Sequence, residues 1–371
     1  MRTRCDAPSH KRRKASATVI SKIRLRNLTV FQDLEMELSP KINVIIGENG
    51  TGKTHLLKAV YALAGHGVRE AKNKTESEEA ISESVTKRLQ RCFMPYEDRL
   101  GRIKRNGVSE SADLSLFLKD DRKLRVTFNV QSKQVAVESA AVDIADPVYV
   151  PTKEVLSFAK GFTSLYDRYQ LSFDQTYFDV CNLLDLPERR KETLEPKSLW
   201  AVEEIEKVCG GKFVFYGGGN VTFKTSDSEY SANAMAEGFR KAGMLSRLLL
   251  TGAIHPGKSG PLLWDEPETN LNPRLMGLLV KILLELSRGG QQIIVATHEY
   301  VLLKWFDLLT TESHEDEVVY HSLQRDESGA VTVRSTDDYL SISPNPIADT
   351  FEELTKQQLR KQLTGEANET H

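Results

Sequence analysis

The 371-residue chain has few cysteines and no long apolar run, and each shortage excludes a class of protein. Its four cysteines are scattered without a C-x-x-C pair, which argues against a zinc site and fits free thiols in a reducing compartment. No stretch reaches the roughly 20 consecutive apolar residues of a membrane helix. The most apolar segment, 275–286, is interrupted by polar residues at helical spacing. The sequence therefore predicts a soluble, cytoplasmic protein without a membrane partner.

An excess of charge of one sign is also missing. The formal net charge is −2, so no global basic field indicates nucleic-acid binding, and any basic surface must be local. Residues 1–17 carry six Lys and Arg side chains but no apolar core, which excludes a secretory signal. We expect a disordered basic tail here; contact with the phosphate backbone of a nucleic acid is the alternative.

A phosphate-binding loop is the strongest motif present. Residues 47–54, GENGTGKT, fit the pattern G-x-x-x-x-G-K-[ST] and lie between an apolar strand, 42–46, and an amphipathic helix. The glycines allow backbone N–H groups to approach phosphate oxygens. Lys53 supplies a positive charge to the β- and γ-phosphates, and Thr54 can ligate Mg²⁺. The helix that follows would present its positive N-terminal end to the phosphates.

A second motif supplies carboxylates. Residues 261–267, PLLWDEP, predict a buried strand that ends in Asp265 and Glu266. An aspartate followed by a glutamate at the end of a buried strand is typical of a magnesium ligand followed by a catalytic base. The alternative is an acidic pair on the surface. Further on, the apolar strand 293–296 delivers His298, which would reach the γ-phosphate if the two strands lie side by side. Alone, His298 could equally be a structural residue.

The order of these elements predicts an α/β fold. We expect a P-loop NTPase with a doubly wound, mainly parallel sheet, an antiparallel β subdomain and a helical insertion. Residues 18–65 and 210–371 form the predicted core, and 66–209 the predicted inserted lobe. Within that lobe, 66–111 predicts an exposed helical segment, 114–137 alternates like antiparallel strands, and 152–208 is typical of helices.

Taken together, the segments GENGTGKT, AEGFRK, LLWDEPETNLNP and ATHEY resemble the ABC-type ATPase heads of the SMC, RecF and OLD-like group. The form EPE-x-x-L-x-P most resembles stand-alone AAA-family ATPases of bacterial anti-phage systems. This resemblance implies ATP and Mg²⁺ as cofactors and two copies that sandwich ATP head to tail. Met235–Gly238 matches the signature helix, with Ala236 where a serine is usual, and Arg240 or Lys241 could then reach the partner's nucleotide. The alternative is that these residues begin an ordinary amphipathic helix without a role at a partner's nucleotide.

The predicted site follows from these motifs. The predicted nucleotide-binding residues are Gly47, Asn49, Gly50, Gly52, Lys53, Thr54, His55, Glu237 and Gly238. The predicted metal ligands are Thr54 and Asp265, and the predicted catalytic residues are Glu266, Lys53 and His298. Phe31 is a candidate for stacking on adenine.

Three functions are compatible with this site. We expect first a dimeric regulatory ATPase that controls a separate effector, such as a nuclease or toxin, in anti-phage defence. The alternative is a DNA-repair or DNA-clamping ATPase of the SMC/RecF type. It would need a basic groove built from Lys104, Arg105, Arg122, Lys123 and Arg125. A transporter subunit is disfavoured because the serine-containing signature is missing.

Overall fold

A computed structural model of the protein describes residues 19–65, 78–139, 145–169, 171–312, 315–327 and 329–364. The predicted basic tail lies outside these residues. The strands, numbered along the chain, are β1 Ile20–Leu28, β2 Phe31–Glu37, β3 Ile42–Gly47, β4 Ala112–Leu118, β5 Lys123–Phe128, β6 Ala136–Ser139, β7 Val148–Val150, β8 Lys212–Phe215, β9 Val221–Lys224, β10 Glu229–Ser231, β11 Leu262–Asp265, β12 Ile293–Thr297, β13 Val318–Arg325 and β14 Val331–Thr336.

The helices are numbered in the same way. They are α1 Lys53–Ala64, α2 Glu78–Phe93, α3 Phe162–Arg168, α4 Gln175–Leu184, α5 Pro196–Cys209, α6 Glu237–Thr251, α7 Pro273–Arg288, α8 Tyr300–Leu309 and α9 Pro346–Thr364. In the described part of the chain, no helix combines the length and apolar character needed to cross a bilayer.

A six-stranded sheet forms the centre, in the order β14-β13-β3-β12-β11-β7. All neighbours in it are parallel except β14, which pairs antiparallel with β13 at one edge. Every residue of β3 is buried because helices or a second sheet cover both faces. Successive side chains point to opposite faces: Val44 and Ile46 lie in one hydrophobic cluster and Ile45 in the other. The predicted mainly parallel α/β sheet is confirmed.

Two antiparallel sheets flank the central one. The larger has the order β2-β1-β4-β5-β6, and the smaller has the order β10-β9-β8. Strands β1 and β2 form one antiparallel hairpin, and β8 and β9 form another. Strand β4, from the predicted inserted lobe, pairs directly with β1, and β7 completes the central sheet beside β11. The division of the chain into core and lobe stays a prediction.

The prediction of an exposed helical segment at 66–111 is wrong in one respect. Residues 66–77 lie outside the described part of the chain, but α2 within this segment is amphipathic and packed. Its side chains Ile81, Val85, Leu89 and Cys92 are at most 2% exposed and belong to the same hydrophobic cluster as α1. The charged residues that made the segment look exposed occupy the other face of the helix. Cys92 is one of three described cysteines; all three are free, as predicted, and all three are buried.

Candidate nucleotide-binding site

The predicted site residues converge at one edge of the central sheet. In the parallel register, Thr297 at the end of β12 lies beside Ile46 of β3, and Asp265 at the end of β11 lies beside Ala296. The carboxyl ends of parallel strands meet at a common edge, where open α/β sheets bind their ligands. The phosphate-binding loop is therefore brought together with the acidic pair and His298, although more than 200 residues separate the loop from them in sequence.

Two glycines of the loop are required by their surroundings. Gly47 has φ +153°, and a Cβ atom there would lie 2.6 Å from the carbonyl oxygen of Leu323 on β13. Gly52 has φ +92°, and a Cβ there would lie 2.6 Å from Val30 and 2.7 Å from Phe31. The loop is thus pressed between β13 and the β1–β2 turn. Only residues without a side chain fit at these two positions.

Lys53 lies at the centre of this loop. Its ammonium donates hydrogen bonds to the carbonyl oxygens of Gly47 at 2.6 Å and Glu48 at 3.1 Å, and the residue is 6% exposed. Burial lowers the pKa of Lys53, and the nearby carboxylates of Glu266 and Asp265 oppose that shift. Lys53 is therefore positioned as a cation inside the loop, where phosphate oxygens are equally suitable partners.

The two predicted metal ligands, Thr54 and Asp265, lie in direct contact. The hydroxyl of Thr54 donates to Oδ2 of Asp265 at 2.8 Å, and the hydroxyl of Tyr149 donates to the same atom at 3.4 Å. Oδ1 of Asp265 is buried and has no hydrogen-bond partner. Burial raises the pKa of Asp265, and the Thr54 hydrogen bond partly offsets this. An unsatisfied carboxylate oxygen beside a hydroxyl is a donor set that fits Mg²⁺, which prefers oxygen ligands and takes the rest from water and phosphate.

The predicted base and histidine touch each other. Nδ1 of His298 lies 3.1 Å from Oε1 of Glu266, and His298 is about half exposed. The backbone of Glu266 has φ +47°, an unusual conformation for a residue with a side chain, and its N–H donates to the carbonyl oxygen of Ala296 at 2.8 Å. Such strain is common at functional sites. Glu266 is thereby turned out of the strand direction at the edge of the sheet.

A third carboxylate in the site was not predicted as functional. Glu268 is 4% exposed, and its Oε1 accepts hydrogen bonds from the Thr297 hydroxyl at 2.7 Å and from the His298 N–H at 3.3 Å. Burial raises the pKa of Glu268. Its contacts fix the end of β12 and hence the backbone that carries His298. The sequence signal was the acidic run at 265–268, which does not reveal which carboxylates are buried.

Three other predicted positions have surroundings that bear on their roles. Asn49 is exposed at the loop tip. The ring of His55 packs 5.5 Å from Phe93 of α2, and burial lowers its pKa, so its role in nucleotide binding stays a prediction. Phe31 is 0% exposed and packs behind Gly52. Phe31 is therefore not available to stack on adenine, because its ring is part of the core.

The predicted signature residues begin α6. Ala236 is the N-cap and provides no side-chain cap, while Glu237 and Gly238 form the first turn. A Cβ on Gly238 would lie 2.9 Å from the carbonyl oxygen of Asn270 in the same chain. The first turn of α6 therefore packs on the loop that follows Glu266.

The expectation that Arg240 or Lys241 reaches a partner's nucleotide is wrong for this structure. Arg240 forms an ion pair with buried Glu154 at 2.7 Å and is 13% exposed. Lys241 is 2% exposed, and its ammonium donates to backbone carbonyls of its own chain. Burial lowers the pKa of Lys241 to about 8, and neighbouring carboxylates, with Glu268 the foremost, oppose that shift. Sequence position alone could not show that both cations turn inward.

Four of the five residues suggested for a basic DNA-binding groove are buried or bonded within the chain. Lys104 is 4% exposed, and Arg105 donates to the carbonyl oxygen of Val30 at 2.7 Å. Arg125 is paired with Asp113 and Glu138, at 2.7 and 2.6 Å. Arg122 pairs with Asp120 at 2.8 Å. The positive charges counted along the sequence are thus largely neutralised or buried in the antiparallel sheet.

Two family models match separate parts of the chain. Residues 19–144, which include the phosphate-binding loop, match the AAA_15 model, described as an AAA ATPase domain. Residues 226–304, which include α6, the acidic strand and His298, match the AAA_21 model, described as an AAA domain, putative AbiEii toxin, Type IV TA system.

Curated relatives include the DNA replication and repair protein RecF from two bacteria. RecF of Bacillus cereus (strain G9842) is 34% identical over 104 residues, and RecF of Bacillus cytotoxicus is 35% identical over 100 residues. These alignments cover 28% and 27% of this chain and 24% of each relative. The match thus spans about a quarter of the relatives' length.

Solved structures extend the likeness to most of the chain. An SMC head bound to the C-winged helix domain of ScpA is 15% identical with a TM-score of 0.54, covering 86% of this chain and 98% of that one. An SMC head with an extended coiled coil, bound to the C-terminal domain of ScpA derived from Pyrococcus furiosus, is 11% identical with a TM-score of 0.51. That likeness covers 92% of this chain and all of the other. The predicted P-loop fold of the ABC-ATPase type is confirmed.

Proposed function

We propose that the chain is an ABC-type, SMC/RecF-like ATPase that binds ATP with Mg²⁺ and hydrolyses it to ADP and phosphate. The observation that carries this proposal is the assembly at one sheet edge of Lys53, the Thr54–Asp265 pair and the Glu266–His298 pair. These are the parts that phosphoryl transfer to water requires: phosphate binding, a metal ligand and a group that orients water.

Each residue has a distinct task. Lys53 and the loop N–H groups bind and orient the phosphates, and Thr54 and Asp265 would hold Mg²⁺. When bound, Mg²⁺ neutralises charge that develops on the phosphate oxygens. Glu266 accepts the proton of the attacking water. With a proton on its Nδ1, His298 donates to Oε1 of Glu266 and so fixes the direction of that carboxylate.

We further propose that two copies sandwich ATP, with the N-terminus of α6 of one copy facing the nucleotide of the other. The α6 N-terminus carries no side-chain cap at Ala236, an exposed residue, so its N–H groups and dipole suit an anion. In its own chain this turn packs on the loop after Glu266. The phosphate that the N-terminus of α6 binds would therefore belong to the nucleotide of a second copy.

The cellular role that the relatives support best is that of an SMC/RecF-type ATPase acting on DNA, because the curated relatives are DNA replication and repair proteins. A regulatory ATPase that controls a separate effector in defence is the second candidate, supported by the toxin–antitoxin description of the AAA_21 model. Retention of the purified chain on duplex DNA at increasing salt separates the two, since phosphate contacts weaken steeply with salt.

A single substitution at the α6 cap tests the nucleotide sandwich. Ala236→Asp adds a residue that favours N-caps and so preserves the helix in its own chain. The same carboxylate repels the phosphates of a partner's ATP, so we expect assembly and turnover to fall while ATP binding by each copy persists. Ala236→Ser, which caps without charge, is the matched control and should retain turnover.

Mixing two variants makes the test specific for a nucleotide site that is shared by two copies. Lys53→Ala removes phosphate binding from its own loop, and Ala236→Asp damages only the α6 side. A mixed dimer then has one composite site that contains neither defect. Mixtures should regain turnover up to about a quarter of the wild-type rate under random pairing with independent sites. Proven mixed dimers without any turnover would exclude the composite site.

A further inference from the structure

Lys241 holds a buried positive charge against the loop that carries the proposed base. It lies in the second turn of α6 and is 2% exposed. Its ammonium donates to the carbonyl oxygen of Glu266 at 2.9 Å and to that of Thr269 at 3.2 Å. A buried ammonium costs free energy unless its donors are satisfied, so its placement at these two carbonyls constrains the loop strongly.

The loop between β11 and α7 needs such support. Glu266 has φ +47° and Asn270 has φ +62°, and both are residues with side chains in a region that favours glycine. The N–H of Glu266 is bound to Ala296 at 2.8 Å, while its carbonyl is bound to Lys241. Backbone contacts thus hold Glu266 on both sides. The direction of its side chain follows from that backbone conformation.

The same helix touches the far end of the loop. Gly238, one turn before Lys241, faces Asn270 and Leu271, since a Cβ there would lie 2.9 Å from the Asn270 carbonyl oxygen and 3.4 Å from Leu271. The first two turns of α6 therefore contact the loop near both of its ends. A shift of the α6 N-terminus would be passed to the backbone of Glu266 through these contacts.

We propose that Lys241 is a positioning residue that ties α6 to the catalytic loop and sets the orientation of Glu266. The inference rests on the proposed ATPase function and deepens it. The same helix whose N-terminus faces the partner's nucleotide determines whether Glu266 in its own chain is in place. Hydrolysis in one copy then depends on how its α6 docks on the other.

The test compares Lys241→Met, which keeps length and removes the donors, with Lys241→Arg, which keeps the charge. Lys207→Met, at a lysine whose side chain is 76% exposed on α5, is the matched control. We expect Lys241→Met to lower kcat about 100-fold, the cost of a misplaced catalytic group. The Kd for ATP should stay within about twofold, since the phosphate-binding loop is untouched. Lys241→Arg should recover at least a tenth of the rate.

A double-mutant comparison separates positioning from general damage. In the Glu266→Gln background, Lys241→Met should reduce hydrolysis no further, because the group it positions is already gone. A further 100-fold loss in that background, a parallel loss of ATP binding, or unchanged kcat in a folded Lys241→Met variant would overturn the proposal.

Hydrogen exchange of the loop gives a readout that does not depend on activity. The N–H groups of Thr269 and Leu271 are bonded within the loop, to the carbonyls of Glu266 at 3.3 Å and Glu268 at 2.9 Å. In Lys241→Met, peptides covering 266–271 should exchange about tenfold faster, with the rest of the chain unchanged. An unchanged exchange rate in these peptides would contradict the proposed link between Lys241 and the loop. Faster exchange in a protein that hydrolyses no ATP supports the tie and refutes only the proposed function.

Discussion

Acidification should destabilise the protein through one buried histidine of β13. His321 is 0% exposed; its Nδ1 lies 2.7 Å from the Ser335 hydroxyl, and its Nε2 lies 3.1 Å from Oδ1 of Asn43. Since Oδ1 of Asn43 only accepts, the proton of the neutral ring lies on Nε2 and the Ser335 hydroxyl donates to Nδ1. Burial lowers the pKa of His321 to about 4.

The size and sign of the effect follow from that pKa. In the unfolded chain the pKa of a histidine is about 6.5, so between about pH 6.5 and pH 4 the unfolded state binds a proton that the folded state does not. His321 then costs no stability above pH 6.5 and destabilises the fold as the pH falls below it. At 1.36 kcal/mol per pH unit, the loss between pH 7.5 and pH 5.0 is about 2 kcal/mol.

Urea unfolding at these two pH values measures the effect. Carboxylates also titrate in this range, so the comparison is between the wild-type protein and His321→Gln, which keeps hydrogen-bonding capacity without the titration. The fall in unfolding free energy should be about 2 kcal/mol smaller in the variant. Equal pH dependence in His321→Gln and the wild-type protein would refute the reasoning.

Two further predictions concern the phosphate-binding loop. Gly47→Ala should abolish ATP binding, because the added Cβ would lie 2.6 Å from the Leu323 carbonyl oxygen; Gly107→Ala, at a glycine of φ +76° with nothing within 4 Å, should bind ATP normally in equilibrium dialysis. Arg325→Ala should raise the Kd for ATP about tenfold with kcat retained, because its guanidinium donates to the Gly50 carbonyl oxygen at 2.6 Å and holds the loop tip. An unchanged Kd in Arg325→Ala would show that the loop tip needs no such support.

The parts of the site that the sequence predicted are those written in short contiguous motifs. The loop around Lys53, the strand ending at Asp265 and the strand before His298 each combine a buried run with a functional residue at its end. Parallel pairing then brings the strand ends together. The proximity of Glu266 and His298 follows from that rule without knowledge of any side-chain contact.

The sequence could not predict which charged and aromatic side chains are buried. Lys241 and Glu268 look like surface charges in sequence, and only tertiary packing buries both beside the catalytic loop. Phe31 follows a turn and resembles an exposed aromatic, yet it fills the space that Gly52 leaves. Amphipathic helix α2 was misjudged because its charged face dominates the composition of the segment, while its apolar face is visible only at helical spacing.

The central claim, that this edge of the sheet hydrolyses ATP with Glu266 as the base, is tested most directly by steady-state phosphate release from saturating Mg²⁺–ATP. The account predicts turnover by the wild-type chain and a loss of about 100-fold to 10,000-fold in Glu266→Gln, with ATP affinity preserved, because the substitution removes the proton acceptor and leaves Lys53, Thr54 and Asp265 in place. Turnover by Glu266→Gln at the wild-type rate, or no turnover by a wild-type chain that binds ATP and assembles, would contradict it.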